Sequence, residues 1–132
     1  MSNVHKELSR TLGGEHTIKL NLDLGLSHSY VIFSDHHKGK RDKTDAFKDC
    51  EENYLNALKY YKENDYTLIL LGDVEEIWEQ SFKKVEAKYK EVMEFEGSFQ
   101  DGRYFRVWGN HDDLWMKPKK VSRKLSNYMP DT

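Results

Sequence analysis

Residues 30–37 read Tyr-Val-Ile-Phe-Ser-Asp-His-His, and this stretch organises the rest of the chain. An apolar run of strand-forming residues leads directly to Asp35 and His37. In an extended chain, residues i and i+2 point the same way, so these two side chains can reach one cation. The stretch therefore predicts a strand, covered on both faces, that carries metal ligands at its carboxyl end.

Two later segments repeat this arrangement of an apolar run followed by polar residues. Residues 67–71 form one run, and residues 104–108 form the other. Glycine and candidate ligands follow each run: Gly72 and Asp73 after the first, and Gly109, Asn110, His111 and Asp112 after the second. The three strand ends are therefore predicted to meet around a metal site.

Amphipathic segments separate the predicted strands. Asp45 is a predicted N-cap for a helix over 46–64, and a second helix is predicted after Asp73. The predicted apolar faces contain Phe47, Cys50, Tyr54, Ala57, Leu58 and Tyr61 in the first helix and Trp78, Phe82, Val85, Tyr89, Val92 and Met93 in the second. A last helix is predicted in the basic segment that contains Val121, Leu125 and Tyr128.

The order of the predicted elements is strand, helix, strand, helix, strand, helix. Crossovers of this length favour a mainly parallel sheet flanked by helices, an α/β fold in a single domain over residues 1–132. Upstream, residues 3–14 predict a short helix, and the alternation of leucine and isoleucine over 18–26 predicts an edge strand. In open α/β sheets the functional site lies beyond the carboxyl ends of the strands, where all three motifs fall.

Composition excludes several classes of protein. Charged residues make up 33% of the 132 residues and the formal net charge is −2, which gives no overall attraction to nucleic acid or to an anionic membrane. No apolar run reaches membrane-spanning length, and the first residues lack the apolar core of a signal peptide. The single cysteine, Cys50, excludes an internal disulfide and a cysteine zinc cluster. We therefore predict a cytoplasmic protein.

Taken together, the three motifs resemble the signature D-x-H, G-D and G-N-H-[DE] of the calcineurin-like metallophosphoesterase superfamily. The blocks occur in this order at 35–37, 72–73 and 109–112, and the resemblance covers about residues 29–113. It implies a hydrolase that uses two divalent metal ions, Mn²⁺, Fe or Zn²⁺, to activate water for attack on a phosphoester. The chain would supply half of the family's four-layer α/β sandwich.

The resemblance also implies the metal ligands. Asp35 and His37 would bind the first metal, and Asp73 would bridge the two metals. Asn110 would bind the second metal through its amide oxygen.

The resemblance implies roles for the remaining motif residues as well. His111 would contact the phosphate, stabilising the transition state or protonating the leaving oxygen. Asp112 would accept a hydrogen bond from His111 and fix its tautomer. Gly72 and Gly109 would allow the strand ends to approach the metals.

The resemblance is incomplete in one respect. The family completes its site with further histidines, one alone and a pair in a Gly-His-x-His block, whereas this sequence has no histidine after His111. The chain is therefore expected to be the N-terminal portion of a larger phosphoesterase, with a missing half or a partner chain completing the site. The alternative is a non-catalytic fragment or binding module with at most weak metal binding.

The substrate is left open by the sequence. The block from Gly72 to Trp78 is similar to the Gly-Asp-x-x-Glu-x-Trp block of UDP-2,3-diacylglucosamine pyrophosphatases. This partial likeness adds a pyrophosphate to the candidate substrates, beside phosphomonoesters, phosphodiesters and nucleic acids.

Several other residues allow two interpretations. His36 is predicted to face away from the site. The basic residues of 38–41 are predicted to form a solvated loop, with contact to a substrate phosphate as the alternative. Glu75 and Glu76 either reach the site or stabilise a helix N-terminus. The basic residues of 117–124 are predicted to form a solvated helix face rather than a nucleic-acid contact.

Overall fold

The computed structural model describes residues 28–129 of the chain. Its strands are β1 (Tyr30–Phe33), β2 (Thr67–Leu71) and β3 (Tyr104–Val107). Its α-helices are α1 (Glu51–Glu63), α2 (Phe82–Gly97) and α3 (Pro118–Lys124), and two short 3₁₀ helices cover Ala46–Asp49 and Asp113–Met116. The helix and the edge strand predicted before residue 28 lie outside the described residues.

The three strands form one parallel sheet in the order β1-β2-β3, which confirms the predicted α/β fold. Ile69 in the central strand pairs with Ile32 on one side and Phe105 on the other. Among the three described strands β1 lies at one edge, and the Ile32 side chain is 56% exposed. The prediction that β1 is covered on both faces is therefore wrong: an apolar run indicates a strand but does not reveal its place in the sheet.

The first helical segment begins where the sequence predicted, but it is interrupted. The Asp45 carboxylate accepts a hydrogen bond from the backbone N–H of Phe47 at 3.1 Å, so Asp45 is the N-cap. The first turn is a 3₁₀ helix, and α1 begins only after Cys50. Because Cys50 lies at this junction, it is exposed rather than buried in the core as predicted. Tyr54 and Leu58 do pack in the core.

The second helix, α2, begins at Phe82, after a loop of ten residues that follows the end of β2 at Leu71. Its N-cap is Ser81, whose hydroxyl accepts a hydrogen bond from the backbone N–H of Lys84. Trp78 therefore lies in the loop before the helix, where it is 59% exposed. Its predicted place in the apolar face of a helix is wrong.

The core lies between one face of the sheet and helices α1 and α2. Leu68 and Leu70 of the central strand are fully buried there, together with Leu58, Val85 and Tyr89 among others. A second cluster joins α2 to the C-terminal segment through Met93, Leu125 and Tyr128. The first cluster packs α1 and α2 against one face of the sheet, and the segments that follow the strands lie at its carboxyl edge.

A buried ion pair connects the loop after β1 to this core. The ammonium of Lys38 lies 2.5 Å from Oε1 of Glu96 in α2, and both side chains are fully buried. The hydroxyl of Tyr54 donates to the same oxygen at 2.9 Å. Lys38 is therefore neither in a solvated loop nor positioned to meet a phosphate, and both interpretations of this residue are wrong.

Arg41, in the same basic loop, is paired on the surface. Its guanidinium lies 2.6 Å from Glu51 and donates to the backbone oxygen of Lys88.

No helix among residues 28–129 has both the length and the apolar character needed to cross a membrane.

Candidate metal centre

The segments that follow the three strands converge beyond the carboxyl edge of the sheet. The backbone N–H of Asp35 donates to the oxygen of Gly72 at 3.2 Å, and that of His37 donates to the oxygen of Asp73 at 2.9 Å. The segment after β3 joins them through the backbone N–H of His111, which donates to Oδ1 of Asp73 at 2.9 Å. The three sequence motifs therefore share one site.

Three of the predicted ligands have an unusual backbone conformation. Asp35, His37 and Asp73 have positive φ angles of 57°, 47° and 51°. Residues other than glycine adopt this left-handed region at a cost of about 1–3 kcal/mol, and such residues concentrate at functional sites. The prediction that Asp35 and His37 lie in an extended chain is wrong. The strand β1 ends at Phe33, and the backbone of both residues is left-handed.

The side chains of these three residues form a group that could hold a metal ion. Nε2 of His37 lies 3.6 Å from Oδ1 of Asp35 and 3.9 Å from Oδ2 of Asp73. Each residue offers one ligand atom within 4.8 Å of the other two. Carboxylate oxygens and an imidazole nitrogen are donors that suit Mn²⁺, Fe and Zn²⁺, so the residues present fit a divalent metal. Asn110 lies exposed in the loop after β3, next to His111.

A second group lies beside the first and includes a residue that the sequence analysis left undecided. Oε2 of Glu76 is 3.1 Å from Nδ1 of His37 and 2.7 Å from Nδ1 of His111. The ring of His111 also stacks on Trp78, with 4.5 Å between centroids and 26° between planes. Of the two interpretations of Glu76, the structure therefore supports the first: the side chain reaches the site and contacts both histidines, and it does not serve at the N-terminus of a helix.

The neighbouring glutamate has a different role. Glu75 is fully buried, forms a 2.5 Å ion pair with Arg106 and accepts a hydrogen bond from Nε1 of Trp115 at 3.0 Å. Burial acts to raise the pKa of Glu75, but the charges of Arg106 and Lys38 outweigh burial and hold the pKa below its ordinary value. In the sequence, one signal distinguished Glu75 from Glu76. Glu76 occupies the glutamate position of the Gly-Asp-x-x-Glu-x-Trp block, and Glu75 does not.

Asp112 is also arranged differently from the sequence prediction. Its carboxylate is fully buried and accepts hydrogen bonds from the backbone N–H groups of Gly109 at 2.6 Å, Val74 at 2.9 Å and Asp73 at 3.2 Å. Burial raises the pKa of Asp112 even though these hydrogen bonds act to lower it. Nδ1 of His111 contacts Glu76 instead. Asp112 therefore fixes the loops after β2 and β3 relative to each other. It does not accept the predicted hydrogen bond from Nδ1 of His111, because that nitrogen contacts Glu76.

The two glycines allow the loops to approach as closely as predicted. Gly72 has a φ angle of +76°, which favours glycine. A Cβ atom on Gly109 would lie 2.3 Å from Oδ1 of Asp73. A side chain at position 109 would therefore displace the central carboxylate of the site.

Two further residues complete the first motif. The hydroxyl of Ser34 donates a hydrogen bond to Asp35, which holds the pKa of Asp35 below its ordinary value, so this carboxylate stays ionised and able to bind a cation.

His36 packs against the rings of Phe47 and Tyr54, with centroid distances of 5.1 Å and 4.4 Å. Burial, together with the charge of Lys38, lowers the pKa of His36 to about 3. His36 is thus a neutral core residue that faces away from the site, as predicted.

The fold and the site together define an α/β protein with a candidate divalent-metal centre at the carboxyl edge of a parallel sheet. The sequence model of the calcineurin-like phosphoesterases matches residues 28–131, and the chain therefore belongs to the calcineurin-like phosphoesterase family. No curated protein and no solved structure matches the chain. The family indicates metal-dependent hydrolysis of a phosphoester.

Proposed function

We propose that the protein hydrolyses phosphoesters with a dinuclear metal centre. The observation that supports this proposal is the convergence of Asp35, His37 and Asp73, whose ligand atoms lie within 4.8 Å of one another. Family membership supports the reaction class, and the donor types suit the metals that assist phosphoester hydrolysis. These three ligands are half of the six described non-glycine residues with a positive φ, and strained backbone of this kind concentrates at functional sites.

Each site residue has a role in this proposal. Asp35 and His37 would hold one metal, Asp73 would be shared with a second, and Asn110 would offer its amide oxygen to the second. When bound, the metals neutralise charge on the phosphate and supply a nucleophilic water at neutral pH.

The remaining residues act on the substrate and on the loops. His111 contacts the phosphate and exchanges a proton with the leaving oxygen. Asp112 keeps the loops after β2 and β3 in register through its three backbone contacts, so that Asp73 and His111 stay together. Further ligands are supplied from beyond the described residues, either by more of the same polypeptide or by a partner chain.

Hydrolysis of bis-p-nitrophenyl phosphate by the full-length protein tests this function. Activity should depend on added Mn²⁺ and fall at least a hundredfold in Asp73→Ala, because this substitution removes the bridging carboxylate. Asp49→Ala, which changes an exposed aspartate in the Ala46–Asp49 3₁₀ helix, is the matched control and should keep full activity. A protein that is inert with Mn²⁺, Fe²⁺ and Zn²⁺ toward monoesters, diesters and pyrophosphates would contradict the proposal.

One observation favours a second candidate function. The sequence contains no histidine after His111, so the second metal has few ligands within the chain itself. A binding module that takes one metal weakly through Asp35, His37 and Asp73 fits this set of donors. Calorimetry distinguishes the two functions: two tight Mn²⁺ sites per chain support the enzyme, whereas one weak site supports the module.

A further inference from the structure

Glu76 lies between the two histidines of the site, and none of the roles above explains its contacts. Its Oε2 atom is within hydrogen-bond distance of Nδ1 of His37 (3.1 Å) and of Nδ1 of His111 (2.7 Å). The Glu76 side chain is 15% exposed, and among the described residues its Oε1 atom is buried without a hydrogen-bond partner. An ionised carboxylate in this position can only accept hydrogen bonds.

The second nitrogen of His37 determines where the proton of this ring lies. Nε2 faces the carboxylates of Asp35 and Asp73, at 3.6 Å and 3.9 Å. An imidazole nitrogen binds a cation only when it carries no proton. If Nε2 binds a cation, the proton of neutral His37 lies on Nδ1, which is the atom beside Glu76.

The same reasoning applies to His111. Its Nδ1 atom contacts Glu76, and one face of its ring is covered by Trp78. When Nδ1–H donates to the carboxylate, Nε2 keeps its lone pair and is the nitrogen that can exchange a proton with a substrate. One glutamate oxygen is thus placed to accept a hydrogen bond from Nδ1–H of either ring.

We propose that Glu76 is a positioning residue that holds the Nδ1 protons of both histidines, so that His37 presents Nε2 to the metal and His111 presents Nε2 to the substrate. This inference rests on the proposed function for the identity of the metal ligand. It gives Glu76 the orienting role that the sequence analysis assigned to Asp112. A hydrogen-bonded acceptor of this kind fixes the ring of a metal-binding histidine and raises its basicity.

The competing arrangement uses the same three residues as a metal site. His37, Glu76 and His111 each offer a ligand atom within 4.8 Å of the others. If both Nδ1 atoms bound a cation, neither could carry a proton. The protonation of the two Nδ1 atoms therefore separates the two arrangements.

Long-range ¹H–¹⁵N correlation spectra of the chain labelled with ¹⁵N-histidine measure this protonation directly. We expect both rings to be in the Nδ1–H form at pH 8. His37→Gln and His111→Gln assign the signals. Nε2–H forms in the unsubstituted chain would overturn the proposal.

Three variants of the labelled chain test the role of Glu76. Glu76→Ala should move both rings toward the Nε2–H form, and unchanged tautomers in this variant would overturn the proposal. Glu76→Gln should retain the Nδ1–H form because its amide oxygen still accepts a hydrogen bond, and it gives a readout if Glu76→Ala fails to fold. Glu79→Ala removes an exposed glutamate three residues further on and should change neither ring.

Metal binding gives an independent readout. The dissociation constant for Mn²⁺, measured by calorimetry, should rise roughly 10- to 100-fold in Glu76→Ala and stay unchanged in Glu79→Ala. Zn²⁺ added to the labelled chain should shift the Nε2 signal of His37, whereas shifts at both Nδ1 atoms would overturn the proposal. If the unsubstituted chain binds no metal, the proposed function fails, while the spectra without metal still decide the role of Glu76.

Discussion

At the scale of single residues, the site depends on the absence of a side chain at position 109. A Cβ atom there would meet Oδ1 of Asp73 at 2.3 Å and the backbone nitrogen of Asp73 at 2.8 Å. Both distances are below van der Waals contact, so either the loop or the carboxylate must move. Because Asp73 is the proposed bridging ligand, this movement should affect metal binding before it affects the fold.

Gly109→Ala is therefore expected to weaken Mn²⁺ binding at least tenfold in calorimetric titrations. Gly102→Ala is the matched control, since Gly102 has a φ of +73° and no atom lies within 4 Å of an added Cβ. The control should lose about 1–2 kcal/mol of stability from left-handed strain and keep its metal affinity. Equal metal affinities in the two variants would show that the contact between Gly109 and Asp73 is not important for binding.

Three candidate ligands could be identified from the sequence and lie together in the structure, but the hydrogen bonds around them could not be predicted. Ligand types after apolar runs identify Asp35, His37 and Asp73 because parallel strands bring their carboxyl ends to one edge. The direction of each side chain depends on backbone angles that residue types do not specify. This is why Asp112 was assigned the contact to His111 that Glu76 makes.

At the scale of the elements, Lys38 fixes the loop after β1 to helix α2. Its ammonium is buried against Glu96 and lies 5.6 Å from the ring centroid of Phe47. A buried charge that loses its partner is strongly destabilising, because the remaining charge is neither solvated nor paired. The ion pair thus couples the position of the metal-site loop to the packing of the core.

Lys38→Met should lower the free energy of unfolding by about 3–5 kcal/mol, measured by urea denaturation, because it leaves Glu96 unpaired. Lys90→Met is the comparison: Lys90 forms an exposed i,i+4 pair with Glu94 at 3.8 Å. Such surface pairs contribute about 0.3–0.5 kcal/mol. A loss of stability in Lys38→Met no larger than in Lys90→Met would contradict the role of the buried pair.

The elements themselves were largely predictable, because each strand is an apolar run and each run is followed by an amphipathic helix. The boundaries of the helices were harder to predict. Trp78 has the spacing of a helix face, but the helix begins at Phe82 after the Ser81 cap. The burial of Lys38 could not be predicted, since a lysine in a polar loop indicates solvent exposure unless its partner in a distant helix is known.

At the scale of the whole molecule, the two faces of the sheet differ. Helices cover the face that contains Leu68 and Leu70. The register places Ile32, Ile69, Leu71 and Val107 on the opposite face. Ile69 at its centre is 4% exposed, whereas Ile32, Leu71 and Val107 are 56%, 51% and 47% exposed. An apolar face of this kind favours association with another surface.

We expect the chain to self-associate through this face, and Ile32→Lys to reduce the association. Sedimentation measurements should show an average mass that rises with concentration for the unsubstituted chain and stays near that of the monomer for Ile32→Lys. Tyr60→Lys, which changes a 57% exposed residue on α1, is the control and should associate like the unsubstituted chain. A strictly monomeric unsubstituted chain at all concentrations would contradict this prediction.

The adjacency of His37 and Lys38 has a consequence for protein engineering. One residue belongs to the candidate metal centre and the next belongs to the core, with no spacer between them. An insertion or deletion at this junction would rotate one of the two side chains out of its place. In a library of variants with different loop lengths at this junction, only variants of the native length should therefore fold and bind metal. A graft of the metal site onto another scaffold would have to include Lys38 and an acidic partner like Glu96.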